Sequence, residues 1–519
     1  MSLFTRRPER LLLIGAICVS GCVRVGPDFH PQREAWIEHW SSRAVEEATT
    51  QGSQPDIRQW WHVFSDQNLE RLITEADANN ADVRIAGLRV MEARAQLGIA
   101  LSGSYPQVQQ ANADVLYGDR KRSGGDRPRS GGVLQYSVGF DFAWELDFWG
   151  RFSRAIESAD AGYFAARANH DDVLVLLHAQ VATTYFTLRT AEARLRIARE
   201  NAKLQKRSYE ITERLFKSGE SDELDLQQAK TQYLGTLASI PEFESQIVLA
   251  QHALSVLIGR PPGPLPELAE QPEKEGVIPL VDHAVLQDVP ANLLLRRPDV
   301  RAAELQVASQ SALIGVAEAD LYPSVTLLGT LAWTASSAAG APNTLALFAG
   351  PSVSWNLFDH GRIVNNVRVQ DARLQELIVA YQNTVREAAR EADDAATGLI
   401  MALQRDSILH DAEMAARRSL TLANTIYREG YSDFQRVLDA QSALSSQQDA
   451  YLVNRSNAVG SLIALYTAVG GGWYTGAPLV DPDTRRQMQQ RTDWGDMLNE
   501  SDPPSITTRH AAPQGGPGE

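Results

Sequence analysis

Cysteine is almost missing from this sequence: Cys18 and Cys22 are the only two in 519 residues, and both lie at the extreme N-terminus. A disulfide framework, a thiolate metal cluster and a catalytic thiol are thereby excluded from the body of the chain. Basic charge is in deficit too. Lys and Arg number 49 against 64 Asp and Glu, a net charge of −15, so no nucleic-acid partner is expected, since that usually calls for a basic stripe. No run of eighteen apolar residues occurs, and no transmembrane helix is expected. A phosphate loop, a nucleophile elbow and an HExxH motif are all absent. Carboxylates are too frequent for any pair to stand out as catalytic. His170-Asp171-Asp172 is a lone cluster inside a long helical run and reads as an exposed face rather than a metal site. No enzyme activity, cofactor or metal is expected.

What is present begins at the N-terminus. Arg6, Arg7 and Arg10 precede the short apolar run Leu11–Val19, the form of a secretory signal peptide, assigned here to residues 1–21. The following Val19-Ser20-Gly21-Cys22 resembles the bacterial lipobox, in which the cysteine becomes the new N-terminus and carries acyl chains. The alternative is an ordinary signal peptide that leaves Cys22 a free thiol. Val23 follows the cysteine. By resemblance to Gram-negative lipoproteins, the lack of an Asp there favours the outer membrane.

The rest of the chain is written twice. Asp82–Val108 aligns without gaps on Asp299–Val325, with twelve of 27 positions identical. WELDFWGR (Trp144–Arg151) matches WNLFDHGR (Trp355–Arg362), and LFKSGESDELDLQQA (Leu215–Ala229) matches IYREGYSDFQRVLDA (Ile426–Ala440). Three matches in one order mark an internal repeat. Each half reads as a medium helix (near Asp66–Leu101 and Asp299–Leu321) ended by Tyr-Pro. Two strands follow, then a long proline-free helix (Arg151–Lys217 and Arg362–Glu429). A Gly-Ser-Asp turn and a returning helix (near Asp225–Leu257 and Asp433–Val469) complete the half. At 1.5 Å per residue each long helix spans roughly 100 Å. The two shorter helices add up to the long one, so they should lie end to end along it. A spectrin-like bundle is the bland alternative, but it has no need of strands.

The clearest strand is Tyr136–Phe148. Its even positions, Tyr136, Val138, Phe140, Phe142, Trp144, Leu146 and Phe148, are all apolar, and its odd positions are small or acidic. That is a period-2 pattern. These aromatics either pack on the protein's own helices or face lipid; with a lipoprotein signal directing the chain to the outer membrane, a lipid-facing strand is expected. Val325–Trp333 and Pro351–Leu357 alternate less cleanly, the strand after Pro106 is weaker still, and Gly118–Gly132 and Thr334–Asn343 read as exposed loops. If the face meets lipid, four strands per chain are too few for a barrel, and an open edge cannot sit in hydrocarbon. Closure then requires other subunits.

The lipobox at Cys22, VGPDFHPQ (Val25–Gln32) and above all LLLRRPDVRAAE (Leu293–Glu304), together with the repeat and its helix-strand-strand-helix order, resemble the outer membrane factor family. These are the TolC-like efflux channels, here of the NodT-type lipoprotein group; the resemblance covers roughly residues 22–475. It implies a mainly α protein with a β-barrel portion. A homotrimer would share a twelve-stranded outer-membrane barrel above a periplasmic tunnel of coiled coils. Partners would be a periplasmic adaptor and an inner-membrane pump, with the trimer a passive exit duct. The competing reading is a lipid-anchored periplasmic coiled-coil scaffold or adaptor that does not span the membrane. The expected divisions are a signal peptide (1–21), an anchor and equatorial segment (22–61), a first repeat (62–259), an equatorial linker (260–292), a second repeat (293–470), a C-terminal equatorial segment (471–498) and a disordered tail (499–519).

At the hairpin tips Gly219 and Gly430 suit left-handed C′ positions. Ser221-Asp222 and Ser432-Asp433 suit N-caps, with Ser432 and Gln435 fitting a capping box. Capping does not account for Asp225 or Asp439. By resemblance, Asp439 and Tyr427 match the family's periplasmic gate aspartate and tyrosine. Three copies of Asp439 would form an acidic ring. Arg436 stands where the family has its other gate aspartate, so it could pair with a neighbouring carboxylate. The adaptor is expected on the tip grooves around Lys217–Ser221 and Arg428–Ser432. For Lys217 and Arg428 the alternative is a cation stabilising a helix C-terminus.

Overall fold

The computed structural model describes residues 24–31, 57–121, 130–270, 275–281, 296–337, 342–473 and 478–498. The signal peptide, Cys22 and the tail from Asn499 lie outside them. After a 3-10 segment (Ile57–Phe64) the chain runs α1 (Gln67–Asn79), α2 (Ala81–Ser102), β1 (Val108–Lys121), β2 (Ser130–Leu146), α3 (Arg151–Ser218) and α4 (Glu223–Leu257). The second half repeats this as α5 (Pro298–Ala319), β3 (Ser324–Ser336), β4 (Thr344–Ser354), α6 (Arg362–Arg428) and α7 (Gln435–Ala468), with a short α8 (Pro482–Arg491) after it.

The medium helix of the first half is two helices rather than one. Asn80 takes an extended backbone (φ −62°, ψ 134°), and its side-chain oxygen accepts from the amides of Asp82 and Val83. A residue that caps the next helix cannot continue the previous one. Asp66 caps α1 in the same way. In the second half α5 is single and starts at Pro298, a favoured first helical position. α4 passes through Pro241, which leaves the Leu237 carbonyl without its usual backbone donor.

Both long helices begin alike. Gly150 and Gly361 sit at φ 78° and 85°, where a side chain would be strained. A carboxylate just upstream then holds the first free amides. Asp147 accepts from Phe152 N and Ser153 N (3.0 and 2.9 Å), and Asp359 from Gly361 N and Ile363 N (3.0 and 2.8 Å). These backbone donors hold the Asp359 carboxyl below its ordinary range. The shorter helices do lie along the long ones: α2 and α4 on α3, and α5 and α7 on α6. α5 and α7 also pack on α3, which ties the halves together.

Four strands form one antiparallel sheet in the order β1-β2-β3-β4. The β2–β3 pairing joins the two halves. β1 reaches Lys121 and β2 starts at Ser130, and β3 reaches Ser336, so the strands extend into both stretches expected to be loops. β2 ends at Leu146, leaving Phe148 in the turn, and β4 ends at Ser354, leaving Trp355–Leu357 beyond it. The main core lies at mid-height, where the 3-10 segment wedges Trp60, Trp61 and Phe64 among α1, α3 and α7. Trp60 stacks on Tyr466 (5.4 Å), and the Tyr185 hydroxyl donates to the Asp66 carboxylate (2.8 Å).

Candidate functional site

The strand register sorts the sheet into two chemistries. Tyr136, Val138, Phe140, Phe142, Trp144 and Leu146 share a face with their β3 partners Ala335, Trp333, Leu331, Gly329, Leu327 and Val325. On β4 the same face continues through Leu345, Leu347, Ala349, Pro351 and Val353. Val138 is 54% exposed and Leu347 73% exposed, so among the described residues no helix covers this part of the face. Burial against a core is thus ruled out for Tyr136, Val138 and Phe140; Phe148, also exposed, lies off the strand. Aromatics gather at both ends of the face, Tyr136 and Trp333 at one, Trp144, Trp149 and Tyr322 at the other. Trp149 and Tyr322 stack at 4.6 Å, and the Trp149 indole N–H donates to the Pro323 carbonyl (2.8 Å). An apolar band between aromatic girdles is the form of an outer-membrane strand set.

The other face is polar and internally bonded. Asp141 accepts from Asn112 Nδ2 (3.0 Å) on β1 and from Thr330 Oγ1 (2.9 Å) on β3, linking three strands. Ser137 Oγ donates to Asp114 (3.4 Å), and Glu145 lies on the same side at the girdle. Among the described residues β1 and β4 have no second partner, so both edges of the sheet are open.

At the far end, α3 turns into α4 and α6 into α7. Gly219 and Gly430 are left-handed (φ 79° and 76°), as the C′ reading requires. The caps differ. Asp222 caps α4, accepting from Asp225 N (2.9 Å), and the Asp225 carboxylate accepts from Ser221 Oγ (3.0 Å). Asp225 therefore belongs to the cap after all. The capping box expected of Ser432 and Gln435 does not form: Phe434 is the N-cap of α7 and offers no side-chain bond, and Ser432 Oγ turns to the Asp433 carbonyl. Gln435 Nε2 instead donates to Asp439 (2.9 Å), which is exposed. Arg436 Nε lies 3.9 Å from Asp433, an exposed pair worth little. Tyr427 leans on the buried ring of Phe434 (5.2 Å). Burial, with the nearby Asp225 charge, pushes its phenol above the ordinary value. Lys217 pairs with Glu213 (3.2 Å), and Arg428 Nε donates to the Asn424 carbonyl (3.2 Å), the helix-end arrangement for both cations.

One cluster was not foreseen. Arg297, buried at the start of α5, holds Asp299 with two bonds (3.0 and 2.8 Å), Glu391 on α6 (3.0 Å) and the Ala468 carbonyl closing α7 (2.9 Å). Asp172 on α3 faces it. Burial first, then the Asp299 charge, raises its carboxyl to about 6. His170 is buried and Asp172 half-buried, so the His170-Asp171-Asp172 cluster is not an exposed face. No metal-holding group of His, Cys, Asp and Glu occurs among the described residues. The signal for the cluster lay in Arg297-Pro298-Asp299, a cation and an anion flanking a helix-starting proline.

The family model for outer membrane efflux proteins matches residues 72–260 and 289–471. A probable outer membrane lipoprotein, SilC, of Salmonella typhimurium is 30% identical over 487 residues, covering 89% of this chain and 99% of that protein. The cation efflux system protein CusC of Escherichia coli (strain K12) is 30% identical over 483 residues, covering 88% and 98%. Among solved structures, the outer-membrane channel OprN superposes with a TM-score of 0.77 at 32% identity, covering 86% of this chain and 99% of that one. With the repeat, the two-faced sheet and the long paired helices, these matches place the chain in the outer membrane efflux protein family, as an outer-membrane channel of an efflux system.

Proposed function

We propose that three copies of this chain close a single twelve-stranded barrel in the outer membrane and continue below it as a tunnel of paired helices. The trimer is a passive exit duct for small molecules such as drugs or other toxic compounds. An inner-membrane pump supplies the energy, and a periplasmic adaptor joins the two at the tips around Lys217, Gly219, Ser221, Arg428, Gly430 and Ser432. Cys22 carries the acyl chains, and Asp439, Tyr427 and Arg436 surround the periplasmic opening. The observation that carries this reading is the four-stranded sheet with one apolar face and two open edges. Open edges leave backbone amides and carbonyls unpaired, which hydrocarbon does not tolerate, so β1 of one copy pairs with β4 of the next. A lipid-anchored scaffold that stays in the periplasm gives the Tyr136–Leu146 face nothing to meet. The polar face lines the passage, and a duct of this kind need not hold its cargo tightly; the pump does the choosing.

The deciding measurement is the mass of the protein extracted from outer membranes in mild detergent. A species at three times the protomer mass, corrected for bound detergent, is expected. A stable monomer in that membrane would overturn the shared barrel.

A further inference from the structure

The segment Arg24–Pro31 lies across the junction of sheet and helices, gripped by one buried arginine. Arg154, in the first turn of α3, has a side chain only 2% exposed. Its Nε donates to the Val25 carbonyl (3.1 Å), and its Nη2 to the Gly26 carbonyl (3.1 Å) and the Asp28 carboxylate (2.7 Å). Glu157 takes the remaining Nη1 contact (2.9 Å). Val25 N in turn donates to the Trp149 carbonyl (3.1 Å), at the lower aromatic girdle. The fit is close. Gly26 sits at φ 87°, and a Cβ there would fall 2.4 Å from Gly315 Cα; a Cβ on Gly315 would fall 2.7 Å from the Val25 carbonyl and 2.9 Å from Arg154 Cγ. Two glycines, one on the segment and one on α5, make the approach possible. Phe29 then packs against Val300 and Val307 of α5 and Tyr381 of α6.

A buried guanidinium is costly unless paired, and three of the four groups paired with Arg154 belong to this N-terminal segment. Among the described residues the second half shows no counterpart: the matching residue is Asn365, which accepts from Arg368 on the surface (3.1 Å). Among the described residues the grip occurs once, where the N-terminal segment arrives. Only two peptide steps separate Arg24 from Cys22, a reach of about 7 Å.

We propose that Arg154 is the positioning residue for the lipid-anchored N-terminus: it seats residues 25–28 across both repeats, next to the girdle formed by Trp149 and Tyr322, and so tethers the chain that follows the acylated Cys22. This rests on the reading of Cys22 as acylated. The chain beyond Cys22 has no native thiol, so Val25→Cys, at a position 8% exposed, reports the seat once the modification seen in the chain without this substitution, which measures any unacylated Cys22, is subtracted. The experiment uses the full-length protein in outer-membrane vesicles and a polar maleimide, with metabolic palmitate labelling run in parallel. With Arg154 intact the thiol should be protected. Arg154→Met should speed its modification at least tenfold and Asp28→Asn several-fold, with the palmitate label and the trimer retained; Arg154→Lys should restore part of the protection. Asp28 is surface-exposed, so its variant tests the grip even where Arg154→Met fails to accumulate. Unchanged reactivity in Asp28→Asn and in any Arg154 variant that accumulates overturns the proposal. Faster modification without any palmitate label, in parent and variants alike, would keep the grip but overturn the lipid anchor as its purpose.

Discussion

The two halves of this chain solve one problem with different side chains. At the start of the first half Asn80 Nδ2 donates to the Leu257 carbonyl (2.9 Å), tying the origin of α2 to the end of the returning α4. Counted along the repeat, its counterpart is Arg297, which makes the same tie to the Ala468 carbonyl at the end of α7. Left-handed glycines pack at both ties, Gly259 against Asn79 and Gly470 against Arg297. The backbone arrangement has been kept, but the second half replaced a neutral amide with a cation and surrounded it with Asp299, Glu391 and Asp172. The repeat conserves where a bond must be made and leaves open which group makes it.

The comparison breaks most easily at these ties. Arg297→Ala strands three carboxylates around a vacated cation and should destabilise by about 3–5 kcal/mol. Asn80→Ala removes a cap and one bond and should cost about 1–2 kcal/mol. Thermal unfolding of the purified protein should rank them in that order; equal shifts would mean that the ion cluster adds nothing beyond the carbonyl tie.

A finer separation comes from pH. The Asp172 carboxyl is raised from its ordinary 3.8 to about 6, so the folded protein holds this proton more tightly than the unfolded chain. Stability from this group is full below the unfolded value and is lost as pH rises through about 6. Solvent access trims the effect to about 1–2 kcal/mol. Asp172→Asn should therefore raise the melting temperature at pH 7.5 and narrow its drop between pH 5 and 7.5. A variant that melts lower at pH 7.5 would show the carboxylate to be a needed partner of Arg297.

The smallest expected difference is at the tips. Asp222→Ala removes a working cap, worth about 1 kcal/mol, and should speed amide exchange in the first turn of α4. Ser432→Ala removes a hydroxyl that caps nothing and should leave the first turn of α7 unchanged; a matching acceleration there would restore the symmetrical capping that the sequence suggested.

The long helices were legible because long proline-free runs end at a Gly-Ser-Asp turn, where Gly219 and Gly430 take the left-handed backbone that ends a helix. The barrel strand was legible because β2 alternates from Tyr136 to Leu146. Three features were not. Asn80 reads as an ordinary helical residue until its side chain turns onto the next helix. Gln435 fits a capping box in spacing, yet its amide finds Asp439. Arg154 lies in an unremarkable helical run, and three of its four partners sit more than a hundred residues upstream, where local patterns carry no information. Cys22 and the tail from Asn499 fall outside the described residues.

The glycines that open the two long helices carry a mechanical consequence. α6 starts at Gly361 and runs 67 residues to Arg428, about 100 Å of nearly rigid rod at 1.5 Å per residue. A rod pivoted at one end is a lever. A tilt of only about 3° around Gly361 would sweep the Gly430 turn through about 5 Å, one helical pitch. Motions too small to disturb the membrane-embedded sheet are thus magnified at the opposite extremity into displacements as large as a side chain.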